Sequence, residues 1–273
     1  MNTFPPFPQE TARIGLLGVA FDENSSYQRG AALAPQKIRA AFFCDSSNFW
    51  TENETNLGVE GIFADLGDLA PSPAEMPLVT EQAASRLYAA GLKVLALGGD
   101  HSVTFPLVKA AAQFHPGLTI LHFDAHPDLY DNFENNSHSH ASPFARIMEA
   151  GLARRLVQVG IRTINGHQRQ QATRFGVEVL TMQNWREVFN LRFDSPLYLT
   201  FDLDCLDPAF APGISHREPG GLSTREALSV IQALKADVIG ADLVEFNPTQ
   251  DVSGLTEMVA AKIFKEISAK MLE

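Results

Sequence analysis

Short, mostly apolar runs recur along the chain: Ile14 to Ala20, Gly61 to Leu66, Val94 to Leu97, Leu118 to Phe123, Leu156 to Ile161, Val177 to Thr181, Leu197 to Phe201 and Val238 to Val244. Each reads as a buried strand. Helix-like stretches lie between most of them, at Pro77 to Ala90, Val103 to Phe114, Ser142 to Ala150, Thr224 to Lys235 and Leu255 to Leu272. This alternation predicts βαβ units, an α/β fold and a largely parallel sheet. The pattern alone leaves an open sheet and an eight-stranded barrel both standing. At 273 residues, 45% of them apolar, the chain fits a single domain over 1–273. No internal repeat or linker divides it. The proline-rich start reads as a loosely held tail over residues 1–12, and Cys44 to Asn56 as a polar surface loop.

Two of the strands run into closely spaced acids. Asp124-Ala-His126-Pro-Asp128 follows Phe123, and Asp202-Leu-Asp204 follows Phe201. Alternate residues of an extended segment project to one face, which groups Asp124 with His126 and Asp202 with Asp204. Carboxyl-terminal strand tips are where α/β sheets place ligands. One Asp-x-Asp alone reads as solvated acids ending a strand. Three elements, counting His101 in Gly98-Gly99-Asp100-His101, give six candidate metal ligands: His101, Asp124, His126, Asp128, Asp202 and Asp204. Their four carboxylates, packed without cations, would repel and raise one another's pKa values, whereas two divalent ions balance them. Oxygen-rich ligation with two imidazoles and no thiolate suits Mn2+ better than zinc or copper, with Ni2+ or Co2+ as other candidates. Two such ions sharing a water lower its pKa toward neutrality and present hydroxide at physiological pH, so the reaction class is metal-assisted hydrolysis.

The formal charge of -11 disfavours nucleic acid or an anionic membrane as partner and suits a small cationic substrate steered to an acidic site. The stretch Met1 to Glu10 has no basic region followed by an apolar one, and no apolar run approaches the roughly 18 residues of a membrane span. These features predict a soluble cytoplasmic protein. Cys44 and Cys205 are too few for a disulfide framework, and Cys205 beside Asp204 reads as small core packing.

The same residues resemble a known family, the arginase and agmatinase ureohydrolases. The likeness runs through Gly98 to Ser102, Asp124 to Asp128, the block from Phe201-Asp-Leu-Asp204 to Pro219-Gly-Gly-Leu-Ser223, and Glu245-Phe-Asn-Pro248. Gly30 to Arg39 resembles the family's amino-terminal loop and first helix. Ser139 to Glu149 and Ala211 to Gly221 look most like plant-type arginases, and Ala141-Ser142-Pro143 stands where typical agmatinases carry Gly-Thr-Pro. The resemblance implies a three-layer αβα domain with an open, eight-stranded, mostly parallel sheet. It implies a binuclear manganese centre, with His101, Asp124, Asp128 and Asp202 on one ion and Asp124, His126, Asp202 and Asp204 on the other. It also implies a homotrimer or homohexamer.

Roles for other residues follow from the same resemblance. Glu245 matches the acid that binds guanidinium, and His140 the proton-shuttling histidine, with His138 as a rival two residues away. His216 lies in the family's substrate-facing loop and is expected to touch the far end of the substrate. Tyr130 and Asn165 stand where animal arginases carry Asn and Asp, which removes the anionic contact of animal-style recognition of an α-amino group; either Arg217 or Asn165 is left to meet a substrate carboxylate, or neither reaches the pocket. His122, in phase with Asp124 and one strand period deeper, reads as a partner to the ligand cluster or as a satisfied core histidine, with the core reading preferred, and Asp100 as either an imidazole-orienting acid or a turn residue. Gly98 and Gly99 are expected to turn the backbone through positive φ. The implied activity is release of urea from L-arginine, giving L-ornithine. Hydrolysis of agmatine to putrescine is the nearest alternative, followed by other guanidino compounds. A zinc deacetylase of related fold holds one ion, which the additional ligands His101 and Asp128, plus Glu245, argue against. A catalytically silent subunit would have lost ligands, and none is missing.

Overall fold

The computed structural model describes residues 3–273. Its strands are β1 (Ile14–Val19), β2 (Phe63–Leu69), β3 (Lys93–Leu97), β4 (Thr119–Phe123), β5 (Arg155–Ile161), β6 (Glu178–Thr181), β7 (Leu197–Asp202) and β8 (Val238–Val244). They form one sheet in the order β2-β1-β3-β8-β7-β4-β5-β6, and every pair is parallel. The edges β2 and β6 do not meet, so the sheet is open rather than a barrel.

Among the described residues, seven α-helices cover its faces: α1 (Ala34–Phe42), α2 (Met76–Ala89), α3 (Thr104–Phe114), α4 (Pro143–Glu149), α5 (Gly166–Phe175), α6 (Thr224–Ala233) and α7 (Leu255–Leu272). Alternation along the central strands divides their side chains between two cores, as a sheet buried on both faces requires. Leu95, Leu97, Leu121 and Phe123 pack with Ile38, Phe42, Ile231 and Phe264 of α1, α6 and α7. Val94, Ala96 and Ile120 pack with Leu87, Leu107, Phe144 and Ala172 of α2, α3, α4 and α5. The result is one α/β domain of three layers.

The structure differs from the sequence expectations at two places. Helix α5 carries almost no apolar stripe; only Gln168, Gln171 and Ala172 are buried along it. It is defined by its ends, a capping box between Asn165 and Gln168 and a left-handed Gly176 after its last turn. The expected loose tail over 1–12 also fails from Phe4 onward, while Met1 and Asn2 lie outside the described residues. Phe4 is buried among the rings of Phe42, Phe43, Phe63 and Phe264. The Phe7 N–H donates to the Asp65 carbonyl at 2.8 Å, extending the open edge at β2. An aromatic ring at position 4 and a bare sheet edge outweigh the disorder that three prolines suggest.

Candidate metal centre and active site

Strands β3, β8, β7 and β4 are consecutive neighbours at the middle of the sheet, and each ends in candidate chemistry. His101 follows β3, Glu245 follows β8, Asp202 and Asp204 close β7, and Asp124, His126 and Asp128 follow β4. Parallel pairing therefore brings residues from distant parts of the chain to one carboxyl-terminal edge.

Gly98 and Gly99 let the first of these turns pass close to its neighbours. Neither has positive φ, contrary to expectation. A Cβ on Gly99 would instead collide with the backbone carbonyl of Phe21. Two acids of the site do occupy the left-handed region that favours glycine: Asp128 at φ 50° and Glu245 at φ 62°. Such backbone strain persists where surrounding contacts fix it, as around a ligand site.

The six candidate ligands converge. His101 Nδ1 lies 3.2 Å from Asp124 Oδ2, 3.0 Å from Asp128 Oδ2 and 3.2 Å from Asp202 Oδ2. His126 Nδ1 lies 3.3 Å from Asp124 Oδ1 and 3.0 Å from Asp204 Oδ2. Asp124 thus joins both groups through different oxygens. Asp202 is tied to the second group through its Oδ1, which accepts the Asp204 N–H at 2.7 Å. Asp124, Asp202, Asp204 and His101 are buried, and His126 is partly open.

The electrostatics of this cluster fit a cation-binding site. Burial and the neighbouring Asp204 and Asp124 push Asp202 well above the carboxylate range; burial likewise raises Asp204. Asp124 goes the other way, because His122, His101 and His126 outweigh its burial. Buried carboxylates this close cannot all carry charge unaided, a conflict that a bound cation relieves. His101 Nδ1 is buried and has no hydrogen-bond partner, although three carboxylate oxygens surround it. A nitrogen lone pair and oxygens brought together without a proper hydrogen bond match the donor set of a hard or borderline cation.

Glu245 and His140 form the opposite wall. His140 Nδ1 donates to Glu245 Oε1 at 2.9 Å, and the His101 N–H donates to the same oxygen at 2.9 Å. On the other side of the ring, His140 Nε2 accepts the Ser26 N–H at 3.2 Å and lies 2.9 Å from Ser26 Oγ. Burial opposes a charge on this ring, but Glu245 outweighs it and lifts the His140 pKa to about 9. The partner effect holds Glu245 below the usual range despite its burial.

A cavity of about 170 Å³ opens over these groups. Its lining includes His126, Asp128, Asp202, Asp204, His140 and Glu245. His216 also lines it, with its ring 5.1 Å from that of His140 and 5.9 Å from that of His126. Of the residues named for the far end of the substrate, Asn165 is not in the lining. Its Nδ2 donates to Tyr130 at 2.5 Å and its Oδ1 accepts the Gln168 N–H. Arg217 is exposed and spends its guanidinium on the Pro212 carbonyl and Gln250 Oε1. His138 is exposed and turned toward Phe105.

Sequence reasoning missed Ser26, Phe133, Thr163 and Gln168, all of which line the cavity. The signal available for Ser26 was the polar run Asp22 to Ser26 just after a strand; Gln168 was hidden with helix α5. His122 is not merely packed. Its Nε2 lies 2.7 Å from Asp124 Oδ2, and Gln158 Nε2 donates to its Nδ1 at 3.1 Å. Asp100 caps the turn at His101, accepting from the Ser102 and Asn24 N–H groups, so its contacts are those of a turn residue.

The profile of the Arginase family matches residues 12–269 of this chain. Arginase 1, mitochondrial, from Arabidopsis thaliana is 46% identical, over 95% of this chain and 81% of the relative. An agmatinase from Neisseria meningitidis is 35% identical, over 92% of this chain and 85% of its own. Among solved structures, the arginase from Medicago truncatula superposes with a TM-score of 0.91 at 43% identity, covering 96% of this chain and 88% of that one. These relatives correct one expectation. Arginases of Arabidopsis, rice and Medicago truncatula are named mitochondrial, or chloroplastic and mitochondrial, which overturns the cytoplasmic reading. Composition near residue 1 carries no information about the compartment of a catalytic body shared with organellar enzymes. Among the described residues, no helix is long and apolar enough to cross a membrane.

Proposed function

Since the chain belongs to the arginase family, we propose that it hydrolyses the guanidino group of L-arginine to urea and L-ornithine with two Mn2+ ions. The observation that carries this reading is the pair of ligand groups sharing Asp124 beside a buried His140–Glu245 pair. His101, Asp124, Asp128 and Asp202 would hold one ion, and Asp124, His126, Asp202 and Asp204 the other. Four carboxylates, two imidazoles and no thiolate support manganese. When bound, such a pair supplies Lewis acidity that brings the pKa of water toward neutrality.

The protein's own groups account for the rest. Guanidinium is planar and cationic, and Glu245 is buried at the cavity wall with both of its hydrogen bonds on Oε1, leaving Oε2 for a substrate N–H. Hydrolysis adds oxygen to the guanidino carbon and a proton to the departing amine. His140 is the group for that proton, since Ser26 Oγ links its Nε2 to the cavity surface. His216 stands at the cavity wall where the substrate's far end would pass.

A second substrate, agmatine, is favoured by one observation. Among the described residues, the cavity lining contains no lysine or arginine to meet a carboxylate. Family members are oligomeric, and a homotrimer or homohexamer is the assembly we infer. Urea release from arginine, agmatine, guanidinobutyrate and guanidine by the manganese-loaded protein tests the reading. Arginine is expected to lead, and folded, loaded protein releasing no urea from any of them overturns it. Sedimentation of the loaded protein checks the assembly.

A further inference from the structure

One residue pair below the strand tips, a row of buried polar side chains crosses the sheet. The register pairs Gln158 with His122, His122 with Thr200, and Thr200 with Asp242. All four are fully buried in a layer that is otherwise apolar. Burying such groups is unfavourable unless each is satisfied, so their partners are informative.

Asp242 accepts three hydroxyls: Thr200 Oγ1 at 2.6 Å on Oδ1, and Thr104 Oγ1 and Tyr198 OH at 2.9 Å each on Oδ2. It offers nothing to the cavity and does not line it. Thr200 Oγ1 also lies 3.0 Å from His101 Nε2. A threonine has one hydroxyl proton, and here it goes to the acceptor-only carboxylate. The contact with His101 then requires Nε2 to carry a hydrogen and donate it to Thr200. That tautomer leaves the lone pair on Nδ1, the atom facing Asp124, Asp128 and Asp202.

We propose that Thr200 and Asp242 are positioning residues that fix the tautomer and ring plane of His101, and so set the affinity of one of the two metal sites selectively. A group hydrogen-bonded behind a ligating imidazole typically changes metal affinity by about 10- to 100-fold. The two sites share Asp124 and Asp202, but His126 and Asp204, the candidate ligands found in the second site alone, make no hydrogen bond to Thr200 or Asp242. The inference rests on the metal-centre reading above, and its test keeps the two apart.

The test titrates metal-free wild type, Thr200→Val, Thr200→Ser and Asp242→Asn with Mn2+, reading free Mn2+ by electron paramagnetic resonance. Wild type and Thr200→Ser are expected to bind two ions per chain with similar affinities. Thr200→Val and Asp242→Asn are expected to keep one ion at wild-type affinity and weaken the other by about 10- to 100-fold. Both ions at wild-type affinity in Thr200→Val overturns the proposal; selective loss there but not in Asp242→Asn overturns the part given to Asp242. Should valine prevent folding, Thr200→Ala repeats the measurement. If both fail to fold while Thr200→Ser folds, Thr200 belongs to the core and the proposal falls. Wild type binding fewer than two ions sinks the metal-centre reading itself, whatever the variants do.

Discussion

His140 and Glu245, 105 positions apart in sequence, share a buried 2.9 Å hydrogen bond in which the imidazole donates from Nδ1. The Ser26 N–H approaches the other ring nitrogen, so the neutral ring has a defined tautomer with Nε2 as acceptor. If His140 has the proposed role of moving a proton rather than holding substrate, replacing it with Asn is expected to lower kcat by about 10²-fold or more while KM changes only a few-fold. Steady-state urea release checks this. An unchanged kcat would remove His140 from proton transfer, and the outward-facing His138 could not replace it without the loop reorganising.

Glu245→Gln keeps the shape of the wall and removes its charge. Its Oε1 receives both the His101 N–H and His140, so the amide must satisfy two existing donors and a cationic substrate with one oxygen. Losing one partner of a buried charged pair costs about 3 kcal/mol or more. We therefore expect kcat/KM to fall by about 10²-fold. A variant within threefold of wild type would show that the guanidinium binds elsewhere.

Manganese is expected to stabilise the fold as well as enable chemistry. The ligand groups form only where β3, β7 and β4 end together, so the unfolded chain has no equivalent site. Mass action then adds about 2.7 kcal/mol per ion at a free concentration 100 times its Kd. Scanning calorimetry with and without chelator should show a lower Tm after metal removal and recovery on adding Mn2+. Equal Tm values in both conditions contradict this.

The acidic tips were legible in the sequence because a strand's period of two is visible in Asp124-Ala-His126 and Asp202-Leu-Asp204. The strands were legible for a different reason: burial on both faces turns them into short continuous apolar runs. What was hidden depends on neighbours across the sheet. The phase of His122 with Asp124 was visible, but the core reading was preferred because nothing local shows that Gln158 faces its other nitrogen from β5. Asn165 looked like a substrate contact because it stands where the resemblance to animal arginases places an Asp. Its use as the cap of α5 depends on Gln168, three residues later, in a helix without an apolar stripe.

Acid should loosen the loop over residues 44–56 before the sheet. Glu52 in this loop is held by Arg225 and Lys262, and its backbone N–H donates to Glu266. Arg225 and Gln232 depress the Glu52 pKa; Lys262 and Gln232 depress that of Glu266 against its burial. A depressed carboxylate pKa contributes stability above its ordinary value of 4.5 and loses it as pH falls toward the folded value. Melting temperature should therefore drop below about pH 4.5, and Glu52→Gln should flatten that slope. An equally steep slope in the variant would assign acid sensitivity elsewhere.

Arg162 offers a separate test of how the site is held. From the end of β5 its guanidinium reaches the carbonyls of Asp204 at 2.8 Å, Cys205 at 3.2 Å, Leu206 at 3.3 Å and Glu218 at 2.7 Å. The planar fork thus joins the segment carrying the candidate ligand Asp204 to the loop that returns toward the sheet, where Leu222 donates to the Cys205 carbonyl. Lysine keeps the charge but offers a single nitrogen, which cannot span four carbonyls. Arg162→Lys is expected to lose about 1–3 kcal/mol of stability. Amide exchange should quicken over residues 203–222 and stay unchanged in β3 and β8. Mn2+ binding should weaken on the Asp204 side by several-fold while the site on His101 keeps its affinity. This pattern is the mirror of the one expected from Thr200→Val, so a uniform weakening of both sites in either variant would show that the two ions are held as one unit.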